Sequence, residues 1–66
     1  MDKVPGRIDI YMDGKNGASA MHKNIISSGV EGLFYCVYHH DFSGSVVVTR
    51  YSIANIYKVV EYERDY

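Results

Sequence analysis

The chain has 66 residues, seven basic against eight acidic side chains for a formal net charge of −1, 47% hydrophobic and 14% aromatic content, one cysteine and no tryptophan. That length allows a single compact domain over 1–66, and one Cys excludes both an internal disulfide framework and a zinc cage built from several cysteines. The near-neutral charge argues against a nucleic-acid coat or a polybasic membrane anchor, and no apolar run is long enough to cross a bilayer. The opening Met1-Asp2-Lys3-Val4-Pro5-Gly6 lacks the apolar stretch of a signal peptide, so a cytoplasmic protein is expected.

Residues 7–13 alternate, with Ile8, Ile10 and Met12 on one side and Arg7, Asp9, Tyr11 and Asp13 on the other. This is the period of a half-buried strand. Asp13-Gly14 and Asn16-Gly17 end it, because Gly and Asn accept the positive φ of tight turns. Residues 18–28 can be read two ways. Ala18, Met21, His22 and Ile25 fall at helical spacing, and Gly29 suits a left-handed carboxyl cap. Asn24, Ser27, Ser28 and the adjacent Ile25 and Ile26 are mediocre helix formers. The spacing favours a short helix over a second strand.

Residues 33–40, Leu-Phe-Tyr-Cys-Val-Tyr-His-His, are apolar on both faces and rich in strand formers, as a central strand should be. Residues 41–45 form a turn of hairpin length, and 45–51 follow as the antiparallel partner. Residues 52–55 read as a tight turn or single helical turn. Residues 56–63 then form a closing strand, since Val59 and Val60 are stiff and suit a pleated sheet. Ile53, Ile56, Tyr57 and Val60 also fit an amphipathic helix capped by Ser52. The fold expected from these elements is α+β, a small antiparallel sheet of about four strands with one short helix packed on it. With 18–28 as a strand, the chain is all-β instead. The one-turn break at Ser52-Ile53-Ala54-Asn55 and its closing strand then resemble the five-strand small barrels of the Sm-like and SH3-like kind.

Cys36, His39, His40 and Asp41 are residue types that bind zinc or copper. Strand alternation places Cys36 and His40 on one face and His39 on the other, and His22 is the only further imidazole. A buried cysteine and histidines at the strand rim are therefore expected. The same alternation keeps either imidazole from activating Cys36 as a nucleophile. Gly14-Lys15-Asn16-Gly17 has neither phosphate-loop spacing, and Asp9, Asp13 and Asn16 do not have that of a calcium loop. No catalytic residue, metal or cofactor is assigned, and the chain is not expected to be an enzyme.

Seven Tyr and two Phe supply all the aromatic content. That is more ring area than so small a core takes in, so part of it should be exposed. The candidate partner-binding set is Tyr38, Asp41, Arg50, Tyr51, Tyr57, Glu61, Tyr62 and Glu63, because Tyr and Arg with few Lys is the composition of interface hot spots. Tyr38, Arg50, Tyr51, Tyr57 and Lys58 also suit a stacking platform for single-stranded nucleic acid, but the net charge and the acids Glu61, Glu63 and Asp65 oppose it.

The expected function is that of a non-enzymatic binding protein that occupies a protein partner's surface. The partner is a second copy, as a homodimer, or a larger target. In overall character the chain resembles the small inhibitors that phages carry against bacterial defences, anti-CRISPR proteins among them, a class without a shared motif. The resemblance implies steric blocking of a nuclease or surveillance complex, with Asp41, Glu61, Glu63 and Asp65 competing for basic nucleic-acid-binding surfaces. The alternative is an oligomeric small-ligand binder, with a nucleotide or signalling molecule held against Tyr rings and Arg50 and Lys58 on its phosphate.

Overall fold

Alternation at the start of the chain decides its centre. Ile8 and Ile10 are fully buried, so the strand that carries them, β1 (Arg7–Met12), lies in the middle of a sheet. A computed structural model describes residues 4–14 and 16–63. It adds β2 (Ala20–His22), β3 (Ile25–Glu31), β4 (Phe34–His40), β5 (Val46–Ser52) and β6 (Ile56–Tyr62), with one 3-10 turn at Ile53–Asn55 between the last two. Two three-stranded antiparallel sheets result, β2-β1-β6 and β3-β4-β5. In each, the central strand is the one with three consecutive buried residues, Ile8, Asp9 and Ile10 on β1 and Tyr35, Cys36 and Val37 on β4.

The core lies between the sheets. Ile8 and Ile10 come from the first sheet and Ile25, Tyr35 and Val37 from the second, with Met12, Ala20, Tyr51, Ile56 and Val59 packed around them. Residues opposite one another in an antiparallel pair share a face. The register Ile8↔His22 and Ile8↔Glu61 therefore places His22 and Glu61 on the core side of the first sheet. Tyr35↔Tyr51 and Val37↔Thr49 do the same for Tyr51 and Thr49 in the second.

The α+β expectation is overturned. No α-helix occurs among the described residues, and 18–28 hold β2 and most of β3. Only Lys23 and Asn24 separate those strands, and Asn24 takes a left-handed φ of 56° that turns the chain from one sheet into the other. Gly29 caps nothing; it sits within β3 opposite Cys36. The two sheets do not close into a barrel either, since β5 pairs with β4 alone and β6 with β1 alone. None of the described helical segments is long and apolar enough to cross a membrane.

The connections are built as the turn residues demand. Gly14 and Gly17 take φ of 77° and 76° after β1, while Lys15 lies outside the described residues. In the β4–β5 turn, Asp41 Oδ1 accepts from the Ser43 amide at 2.9 Å, the Ser43 hydroxyl at 2.6 Å and the Ser45 amide at 3.0 Å. At the 3-10 turn the Ile53 amide donates to Leu33 O at 3.0 Å, and the Asp13 amide donates to Asn55 O at 2.9 Å. One turn thus ties the second sheet to the end of β1.

Candidate functional site

Three surfaces carry the polar and aromatic side chains. The first is the seam between the sheets, where bridges flank Ile8 on either side. On one side, His22 Nε2 and Tyr51 Oη share a hydrogen bond of 2.5 Å. The His39 ring lies 4.7 Å from that of His22 between centroids, and His39 Nε2 bonds Thr49 Oγ1 at 2.9 Å. On the other side, Tyr35 Oη donates to Glu61 Oε2 at 3.1 Å. Burial and then the neighbouring His39 hold the His22 imidazole below its ordinary range, so it favours the neutral form. Burial pushes the Tyr35 and Tyr51 phenols up, which keeps both hydroxyls protonated. These groups hold the two sheets together across the core.

The second surface is the outward side of the first sheet. Arg7 Nε and Nη2 donate to Asp9 Oδ1 and Oδ2 at 3.1 and 3.2 Å, a bidentate pair that accompanies the burial of Asp9 to 4% exposure. The same guanidinium lies 4.0 Å from the ring centre of Tyr62, its partner in register on β6. Hydrogen bonding to Tyr62 first, and Asp9 next, raises the Arg7 pKa. Lys58 repeats the arrangement at the other end, with Nζ 4.7 Å from the Tyr11 ring centre. Two cations are thus laid on two tyrosines across one strand pair.

The third is the outward side of the second sheet. Cys36 is fully buried there, between Phe34 and Tyr38 along β4 and between Gly29 and Arg50 across the ladder. Tyr38 Oη donates to Glu31 Oε2 at 2.8 Å, and that bond is the main cause of its raised pKa. Cys36 and His40 share this face, while His39 points into the seam, as strand alternation requires.

The eight sequence-derived residues fall on several parts of the molecule. Tyr38 and Arg50 share the outward face of the second sheet. Tyr51 and Glu61 belong to the seam, and Tyr62 covers Arg7 on the first sheet. Asp41 closes the β4–β5 turn, where hydrogen bonds led by that of Ser43 hold its carboxyl below the usual range. Tyr57 is the extra residue of a bulge in β6 and is strongly exposed, and Glu63 follows the strand's end, also exposed. Asp65 lies outside the described residues. The sequence did not single out Arg7, Tyr11 or the His22–His39 contact as functional. Alternation places Arg7 and Tyr11 on one face, but only the β1–β6 register brings Tyr62 and Lys58 to them.

Large apolar side chains stand open at both ends of the second sheet. Phe42 and Val46 lie at the β4–β5 turn, and Leu33, Phe34 and Ile53 lie at the opposite end; Phe42 and Leu33 are 105% and 80% exposed. Comparison with protein-family models, curated proteins and solved structures finds no match to the chain.

Proposed function

We propose that this chain is a non-enzymatic binding protein that works by covering the surface of a protein partner in the cytoplasm. One observation carries the reading. Among the described residues, ten large hydrophobic side chains are exposed and only six hydrophobic residues are buried. Apolar groups grouped at the two ends of a sheet, beside Tyr and Arg, are the composition of a contact surface. The resemblance to phage anti-defence inhibitors gives the reading its specific form, steric obstruction of a bacterial defence complex. Steric cover suits the geometry better than an acidic decoy. The Asp41 carboxylate is engaged by its own turn, and that of Glu61 accepts from Tyr35.

The test is phage plating on bacteria protected by a CRISPR nuclease. Expressing the chain should restore plaques from a targeted phage. A Leu33→Ser, Phe34→Ser, Phe42→Ser triple variant should lose that effect while keeping its circular dichroism spectrum. Equal plating with and without the native chain would sink the anti-defence form. Full activity of the triple variant would sink the contact surface itself.

A further inference from the structure

The structure has four strand edges without a strand beside them among the described residues, and they are not alike. An unpaired edge offers a row of amide donors and carbonyl acceptors to any extended chain, so proteins blunt such edges with short strands, bulges and charged side chains, lysine above all. β2 is three residues long. β3 carries a bulge at Ile26 and Gly29 in its middle. β6 carries a bulge at Tyr57 and Lys58 beside it. β5 is the least protected, with no bulge and no lysine: seven residues, Val46-Val47-Val48-Thr49-Arg50-Tyr51-Ser52, in unbroken register with β4 and with Arg50 as the one charge.

A second observation points the same way. Val47 and Thr49 face the core side, yet they are only half-buried, whereas Val37, beside Thr49 on β4, is fully buried. β5 is the edge of its sheet, so a further strand beside it would stand next to these half-buried side chains.

We infer that the chain forms a homodimer in which β5 of a second copy adds antiparallel to β5 across a two-fold axis, joining two three-stranded sheets into one of six strands. The occupant follows from the ends of the edge. Phe42 and Val46 are exposed where β5 begins, and Ile53 and Phe34 are exposed where it ends. An antiparallel copy sets each apolar end against the other kind in its partner, so the surface complements itself, as a two-fold interface must. Full overlap places Thr49 on the axis and Val46 opposite Ser52 of the copy. This extends the reading of the chain as a protein-binding unit by naming one of its partners.

Sedimentation of the purified native chain from micromolar to millimolar concentration, with amide exchange followed by NMR, tests it. A dimer is expected, in which β5 amides exchange more slowly as concentration rises and β6 amides are unchanged. Val46→Lys with Val48→Lys puts cations of both copies on one face of the joint and should weaken the dimer about tenfold or more, with the circular dichroism spectrum kept. A chain monomeric at millimolar concentration overturns the inference. So does a dimer protected along β6 or β3, or a double variant that dimerises as tightly as the native chain. If the double variant does not fold, amide exchange on the native chain decides. A monomer that still restores plaques leaves the binding reading standing and sinks the dimer, and a dimer without effect on plating leaves the dimer standing and sinks the anti-defence form.

Discussion

Ile8, Ile10 and Val37 are fully shielded from solvent in a core drawn from few side chains, so every methyl group in it carries weight. Ile10→Ala should cost about 2–5 kcal/mol. A domain of this size holds about 3–5 kcal/mol in all, so far-UV circular dichroism should show that variant largely unfolded. Ile10→Val should cost about 0.5–1.5 kcal/mol and leave a folded chain with a lower urea midpoint. His22 contributes a response to mild acid. Facing it are His39 from β4 and Tyr51 from β5, with Glu61 beyond Ile8 on β6, engaged by Tyr35. Its pKa is lowered in the folded chain, so the unfolded chain takes up the proton first. Its contribution is therefore complete above the unfolded value of about 6.5, declines as pH falls below it and levels off beneath the folded pKa. Thermal melts from pH 8 to 5 should show this decline. His22→Gln, which can still bond Tyr51, should flatten the profile, and an unchanged profile would remove His22 from the account.

Among the elements, the β4–β5 turn is built most tightly. Gly44 takes a φ of 89°, which a side chain adopts only under strain. Gly44→Ala should therefore destabilise the hairpin by about 1 kcal/mol, read from the urea midpoint. Elements such as this were legible because they are local. The alternation around Ile8 and Ile10, the two-faced apolar run at Tyr35–Val37 and the Asp41–Ser45 turn each sit within a few residues of sequence. The single turn before Ile56 and the strand after it lie where their pattern places them. Residues 18–28 form strands despite their helical spacing, and the reason is physical. The kink at Lys23–Asn24 and the bulge at Ile26 each shift the phase of a period-two pattern. The kink leaves the core-facing His22 and Ile25 three residues apart, an interval that a helical face shares, while Met21 stands on the other side of β2 and is exposed. The tyrosine surfaces were legible only as composition, because Arg7 meets Tyr62, and Lys58 meets Tyr11, through a register that joins distant parts of the chain.

At the scale of the whole molecule, the described ends lie side by side. The Gly6 amide donates to Tyr62 O at 2.9 Å, beside the Arg7↔Tyr62 pair that begins the β1–β6 ladder. A short glycine linker from 63 to 4, with new ends opened between the exposed Asn16 and Gly17, should thus give a chain with the same amide NMR pattern. Collapse of that spectrum would show that the loop after β1 is needed for more than connection.

That same ladder dictates an order of events in time. β3, β4 and β5 follow one another in the chain and can zip through neighbouring turns, whereas β1 must wait for β6, which arrives from almost the full length away. Until β6 docks, Ile8 and Ile10 have only half of their sheet around them. Rapid-mixing experiments should therefore find the meander side formed early and the β1–β6 pairing late, with substitutions in β6 acting mainly on the rate of unfolding. The last strand to join is then also the first to leave, and the lifetime of the folded state is set by how firmly Tyr62 and its neighbours hold to Arg7.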